Sequence, residues 1–537
     1  MPGALSLSAN RGMKMANQRL FRSAAQAVKV PASDAWNAHG APAYRREGRL
    51  GLAQIVVTGC LSATFYSSDR QELALVKSLA ANVAPEFVAR AAIYARQRGW
   101  MKDMPALLLA HLTARRPDLL ERVFDRVIDS PKMLRTYVQM VRSGAMGRKS
   151  FGTLPRRLIR QWLDGRSDEA LLRASVGQSP SLVDIIRMVH PKPRTASRRA
   201  LYGYLLGRPY DIAALPHLAR AFEDFKAGRR TMPPDVPFEM LTSLPLTSDN
   251  WRAIAGRTSW QTTRMNLNLF ARNGVFGNPA LTKKIAARLA DPAQIERARA
   301  FPYQLMLTHA MLAQDVPVSI REALETALDL SLAQVPKIDA HAQGKVYVCL
   351  DVSGSMKSPV TGHRQGATTT VRCVDVAALM ASAMVRRNPG ARVLAFNDTV
   401  LPVTTDPAEP VLALAKRLAA LPDGGTNCSA PLALLNREHA QGALVLYLSD
   451  NQSWVDAAHR QTGTAMLEEW QRFKRRNRAA RLVCLDLQPS ATTQVTERED
   501  VMNIGGFSDQ VFEMIAEFAA NRLDPTHWVG AIEAITL

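Results

Sequence analysis

The stretch KVYVCLDVSGSM (Lys345–Met356) decides how this chain is read. A short apolar run, Val346 to Leu350, ends on Asp351 and breaks into Val-Ser-Gly-Ser-Met. An apolar run of that length bounded by a Gly/Ser turn suits a strand buried on both faces of a parallel sheet. The loop after such a strand lies at the carboxyl edge of the sheet, where α/β domains place ligands. Asp351, Ser353 and Ser355 thus put one carboxylate and two hydroxyls at alternate positions of one tight loop. Oxygen ligands with few charges suit a hard divalent cation that keeps some water, Mg²⁺ above all. The same string also suits a plain turn, so the rest of the chain has to decide.

Working outward, the residues after Met356 alternate between strand-like and helix-like runs. A helix is expected near 370–387, a strand at 391–397, helices near 408–420 and 430–438, and a strand at 443–450. A helix at 464–477, a strand at 481–487 and a helix at 508–521 complete the set. Such alternation predicts a parallel, doubly wound sheet over 345–537. Two later loops carry matching chemistry. Thr426 sits in Gly-Gly-Thr-Asn, where the glycines allow close backbone approach. Asp450 ends the run ALVLYLS and begins Asp-Asn-Gln. Parallel strands all end on one side, so both loops are expected on the edge that carries Asp351.

Asp351, Ser353, Ser355, Thr426 and Asp450 together resemble the metal-ion-dependent adhesion site of von Willebrand factor A (vWA) domains. Such a site offers an open coordination position to a carboxylate, a water or a phosphate. Hydrolysis would also need a positioned base or nucleophile. His363 is the nearby histidine and has no evident partner in the sequence, so a binding or loop-holding metal is expected rather than a catalytic one.

Upstream the texture differs. From about 50 to 330 apolar residues recur at three- and four-residue spacing, with short Gly, Pro or Asp breaks. No strand-like alternation stands out. Many helices of ordinary length over ~280 residues point to a stacked helical array, and degenerate repeats of the HEAT kind fit the lack of a fixed period. The polar segment 331–344 reads as the linker, and residues 1–30 as a flexible basic arm.

Charge divides the chain the same way. The net charge is +21. Residues 341–537 hold 19 Lys and Arg against 20 Asp and Glu, which leaves 49 against 27 in the first 340. The whole excess lies in the helical part, which favours a polyanionic partner over an incidental basic surface. Gly147-Arg148-Lys149 with Arg156, Arg157 and Arg160 puts five cations close together, and no acid intervenes before Gln161. Arg156 and Arg160 share a helix face at i,i+4 spacing. Phosphate contact and an ordinary solvated face are the two readings. Trp260, Arg264, Asn266, Asn268, Arg272 and Asn273 form an amide-rich stretch on an expected helix, a composition poor for helix propensity. Lining a hole and capping between repeats are the two readings there.

The remaining composition sets bounds. No apolar run approaches the ~18 residues of a membrane span. The N-terminus has its basic residues after a very short apolar patch, which makes a poor secretory signal. Cys60, Cys349, Cys373, Cys428 and Cys484 contain no CxxC pair, and read as buried thiols of a reducing compartment, hence a cytoplasmic protein.

Several stretches of the first part combine with the metal-site loops. They are GCLSATFYSS (59–68), MKDMPALLL (101–109), GRKSFGTLPRRLIRQW (147–162), DIIRMVHPKP (184–193), LPLTSDNWRAIAGRTSWQTTRMNLNLFARNGVF (244–276) and RAFPYQLMLTHAML (299–312). They resemble the TROVE module of the Ro autoantigen family and its bacterial relatives, and the resemblance spans about residues 30–537 because that family also ends in a vWA domain. It implies a closed ring of HEAT-like helical repeats over 31–340, followed by a Rossmann-like vWA domain over 345–537. It also implies a monomer, not an enzyme, that binds RNA rather than DNA. The expected RNAs are small noncoding Y-like RNA on the outer basic surface and single-stranded 3′ ends of misfolded RNA in the central hole. An exoribonuclease such as polynucleotide phosphorylase is an implied partner in RNA quality control.

Through the resemblance, His190 in His-Pro-Lys-Pro and Arg173 match positions linked to RNA binding. A lone histidine is otherwise more often structural. Relatives carry a basic Ser-His-Lys before the aspartate where this chain has Ser181-Leu182-Val183, and Gly177 stands at or near another basic position. Arg187, Lys192, Arg194, Arg198 and Arg199 are candidates to compensate. Two rival readings stay open: a metal-dependent protein-interaction module with an incidental basic ring, and a metal-dependent RNA hydrolase.

Overall fold

The protein is described from a computed structural model. It describes residues 30–58, 68–177, 180–298, 300, 302–332, 337, 345–360, 371–454, 463–505, 509–521 and 527–537. The basic arm, most of GCLSATFYSS with Cys60, most of the linker, and His363 lie outside them.

The C-terminal sheet has five strands: β3 (Val346–Asp351), β4 (Arg392–Phe396), β5 (Leu444–Ser449), β6 (Arg481–Asp486) and β8 (Val501–Gly505). Their order is β4-β3-β5-β6-β8 and every pairing is parallel. Alternate residues of β3 enter two cores. Val346, Val348 and Leu350 join the layer shared with helix Cys373–Arg387, and Tyr347 and Cys349 join Trp470 and Phe473 of helix Ala465–Arg476. Burial on both faces is why these strands read as continuous apolar runs. Cys349, Cys428 and Cys484 fill part of the second core, as small hydrophobes do.

The chain turns from one side of the sheet to the other at β3, so β3 and β5 flank the topological switch point. In open α/β sheets that is where a crevice forms beyond the strand ends. Asp351 closes β3 and Asp450 follows β5. The fold therefore brings these two carboxylates to one crevice.

Residues 48–332 form a succession of helices, and among the described residues none is long and apolar enough to cross a membrane. Helix Thr153–Asp164 shows how the sequence writes them. Pro155, Leu158, Ile159, Trp162 and Leu163 form its buried face, and Trp162 Nε1 donates to Ile128 O of the preceding repeat at 2.6 Å. Arg156, Arg157 and Arg160 occupy the opposite face, the amphipathic spacing expected of a helix packed on one side.

Both ends of the helical body rest on the C-terminal α/β domain. Helix Gly48–Thr58 packs on β8 and on the last helix, His527–Glu533, and helix Pro302–Ala310 touches Cys373–Arg387. The C-terminal residues are fastened to the first repeats. Arg90 Nε donates to Ile535 O (2.9 Å), Arg122 to Leu537 O (3.1 Å), and Arg49 pairs with Glu533 (2.5 Å). Trp528 packs edge-on against Tyr94.

A second small sheet was not foreseen from the sequence. β1 (Ala35–Trp36) and β2 (Pro42–Arg45) form a hairpin, and β2 pairs antiparallel with β7 (Thr492–Thr493). The first residues of the basic part are thus stitched to the edge of the C-terminal α/β domain.

Candidate metal centre and basic helical surface

Asp351, Ser353, Ser355, Thr426 and Asp450 are all buried, and all lie on the three loops at the switch point. Asp351 is oriented twice: Ser353 N donates to Oδ1 (2.8 Å) and Ser449 Oγ donates to Oδ2 (2.6 Å). The Ser353 and Ser355 hydroxyls are 3.2 Å apart. The Thr426 loop is held against them by Gly354 N donating to Gly424 O (3.1 Å). Gly425 is required by close approach, since a Cβ there would meet the Trp454 indole and the Asp398 carboxylate. Asp398 in turn accepts from Gly425 N at 2.8 Å.

Whether these residues suit a metal can be judged from their polar atoms. Asp450 Oδ1 is fully buried with no hydrogen-bond partner. Burial pushes Asp351 above the usual carboxylate range, against hydrogen bonds from Ser353 and Ser449. Burial, then the Asp351 charge, raises Asp450 to about 8. Two dehydrated carboxylates beside each other are costly unless a cation compensates them. Among the described residues no three His, Cys, Asp or Glu cluster as metal ligands, so hydroxyls would have to share the task. Carboxylate and hydroxyl oxygens suit Mg²⁺ better than zinc. The set fits a hard divalent cation.

Sequence reasoning missed several parts of this site. Ser449, the last residue of β5, orients Asp351 and was hidden inside a strand. Asp486, at the end of β6, is buried and paired with Arg46, and burial raises it to about 7 against the pull of that arginine. Trp454 stands half-exposed at the rim. Parallel topology was the signal available for Asp486, because every strand end falls on the same edge.

The cations of the helical part separate into two groups. Arg160 Nε donates to Val189 O (2.5 Å), which brings helix Thr153–Asp164 to the end of helix Leu182–Val189. His190 stops that helix in the left-handed region (φ 51°), Pro191 prevents its continuation, and the imidazole is exposed. Arg187, His190, Arg199 and Arg208 line a cleft of about 640 Å³ against helix Ala196–Leu206. Lys192 is exposed beside it, and Arg156 and Arg160 are exposed one helix away. The structure therefore assembles Arg156, Arg160, Arg187, His190 and Lys192 along one edge.

Most of the other candidates have intramolecular partners, as Arg160 also does. Arg148 donates to Ser150 O (2.9 Å) and Thr113 O (3.4 Å), while Lys149 beside it is exposed. Arg157 pairs with Glu121 (2.5 Å), an acid from a neighbouring helix that local sequence does not show. Arg173 pairs with Asp235 (2.8 Å). Arg198 is tied to Asp168, and Arg194 pairs with Asp164 (3.1 Å). Arg264 is buried and donates to Gln304 O (3.1 Å) and Thr308 Oγ1 (2.5 Å). Trp260 Nε1 donates to Leu289 O (3.0 Å) and Asn268 Nδ2 to Met311 O (2.8 Å). Asn266 and Asn273 bond to carbonyls one turn back. In this stretch Arg264 and Asn268 tie their helices to helix Pro302–Ala310 and the residue after it, while Asn266 and Asn273 close turns of their own helices; Arg272 is exposed, with Nε near Asn268 O (3.3 Å). Leu182 is buried, and Ser181 forms a capping box with Asp184.

Residues 345–519 match the family model of the Ro60 vWA domain. The chain is 22% identical over 505 residues to the RNA-binding protein RO60 of Deinococcus radiodurans, covering 87% of this chain and 92% of that one. It also superposes on the crystal structure of the Ro protein of Deinococcus radiodurans with a TM-score of 0.59 at 21% identity, covering 88% of this chain and 99% of the other. Residues 345–519 thus resemble a vWA domain of the Ro60 type, and the chain as a whole has the fold of that Ro structure, a helical N-terminal body followed by a domain built on a five-stranded parallel sheet.

Proposed function

We propose that this protein is an RNA-binding scaffold of the Ro type rather than an enzyme. The observation that carries the reading is the likeness, over nearly the whole chain, to a relative named an RNA-binding protein, in a chain whose net positive charge lies entirely in the first 340 residues. The exposed edge of Arg156, Arg160, Arg187, His190 and Lys192 is the phosphate-binding surface. Contacts of this kind grip the backbone and give little base specificity. Structured noncoding RNA of the Y type and single-stranded 3′ ends of misfolded RNA are the ligands, recognised by shape and charge. Hand-over to an exoribonuclease such as polynucleotide phosphorylase, in the cytoplasm, and action as a monomer complete the proposal.

Asp351, Ser353, Ser355, Thr426 and Asp450 hold a divalent cation, Mg²⁺. Bound there, the ion would supply a Lewis-acidic position for an oxygen ligand. Asp351 is held for that task by Ser353 and Ser449, and Asp398 and Trp454 keep the Thr426 loop against it.

A filter-binding titration with a 3′-tailed structured RNA between 50 and 200 mM salt tests the charge-led reading. Affinity should fall by about a hundred-fold or more, as it does when several phosphates are neutralised. A flat response would favour a protein-interaction module, and RNA cleavage in Mg²⁺ that disappears in Asp351→Ala would favour a hydrolase.

A further inference from the structure

The metal-bearing edge is not built by the vWA domain alone. Residues 37–46, more than 400 positions away in sequence, hold it at three points. β2 pairs with β7, and Arg46 N donates to Ala491 O at 2.9 Å. Asn37 Nδ2 donates to Ser453 O, and Ala38 N donates to Gln452 Oε1 (3.2 Å), whose own Nε2 donates to Ser490 Oγ (2.7 Å). Arg46 forms a fully buried ion pair with Asp486. The segment so held, 450–454, carries the ligand Asp450 at one end and Trp454 at the other.

Asn37 is built to hold. Its Oδ1 accepts from His39 N (3.0 Å) and Ala41 N (3.0 Å), which fixes the amide before it reaches Ser453. The charges point the same way. Asp351, Asp450 and Asp486 end three adjacent strands and are all buried. Among the described residues, Arg46 is the one cation ion-paired with any of them. With all three ionised, Arg46 would offset one charge and a single divalent cation the other two.

We propose that Asn37 and Arg46 are positioning residues of the metal centre: the N-terminal hairpin holds the Asp450 loop in its ligating form and supplies the fixed part of its charge balance. This rests on the metal reading above. Linkage then requires the reciprocal effect, so cation binding tightens the docking of residues 35–46 by the same factor. The hairpin runs straight into helix Gly48–Thr58, which ties the state of the metal centre to the start of the helical body.

The test uses the full chain, with Mg²⁺ and Mn²⁺ titrated by calorimetry into the wild type, Asn37→Ala and Asp351→Ala. Amide exchange over 37–46 is followed with and without Mg²⁺. Asn37→Ala should remain folded and lose about ten-fold or more in cation affinity, the usual cost of removing a residue that orients a ligand. Mg²⁺ should slow exchange over 37–46 in the wild type and leave it unchanged in Asp351→Ala. If the wild type binds cation and Asn37→Ala binds it equally well, with exchange over 37–46 insensitive to Mg²⁺, the hairpin has no such role and the metal reading stands. If the wild type binds neither cation, both fall.

Discussion

Arg46→Met is expected to be among the most destabilising single substitutions in this protein. Arg46 and Asp486 are both buried, and removing the arginine leaves an uncompensated carboxylate between the hairpin and the sheet. Breaking one side of a buried pair costs about 3–5 kcal/mol, because the abandoned carboxyl must stay charged without a partner or take up a proton. Replacing both partners with apolar groups of similar volume removes that penalty. The double variant Arg46→Met, Asp486→Leu should therefore recover most of the loss in a denaturant melt carried out in EDTA. A double variant no more stable than Arg46→Met would show that the pair stabilises through something other than mutual charge compensation.

The metal-stripped protein should lose stability as pH rises, the reverse of ordinary carboxylate behaviour. Burial raises Asp450 to about 8 and Asp486 and Glu497 to about 7. For each, the native state binds more protons than the unfolded chain between about pH 4 and the raised value. Stability is then greatest below the unfolded pKa, falls as pH rises toward 7 to 8, and flattens above. The combined effect should be on the order of a few kcal/mol, and the melting temperature in EDTA should drop by about 5 °C or more between pH 5 and 8. Millimolar Mg²⁺ should restore much of the drop in the wild type, since a cation compensates Asp351 and Asp450, and should restore none in Asp351→Ala. An EDTA melting temperature that is constant or rises over this window would contradict the account.

The vWA half was legible because buried parallel strands write themselves as apolar runs ending at chemistry-bearing loops. Strand boundaries at Val346, Leu444 and Arg481 fall within a residue or two of expectation. β8 was missed because VMNIG is short and carries Asn and Gly, and its neighbours in the sheet, not its own sequence, make it a strand. The hairpin and the Arg46–Asp486 pair were illegible for a different reason: their partners lie some 440 residues apart, and nothing local marks Arg46 as buried.

The basic surface shows the limits of counting charges. Arg148, Arg157, Arg173 and Arg264 look as available in sequence as Arg156 and Arg187, yet each is engaged by another part of the fold, Arg148 by Thr113 O at 3.4 Å. The amides around Asn268 weaken helix propensity locally, but Asn268 itself bonds to Met311 and Ala313 more than 40 residues on, so a pattern that suggested a lined hole also serves packing.

If the helical half binds RNA and the metal edge takes no part, one RNA-binding titration separates the two. Arg156, Arg187 and Lys192 are exposed and far from the core, so the triple variant Arg156→Gln, Arg187→Gln, Lys192→Gln should fold normally. Against a 3′-tailed structured RNA it should bind about ten-fold or more weakly than wild type, with a salt slope shallower by about three, one for each lost phosphate contact. Asp351→Ala, measured alongside, should keep wild-type RNA affinity. Full affinity in the triple variant together with loss of binding in Asp351→Ala would place RNA recognition on the metal edge and contradict the account.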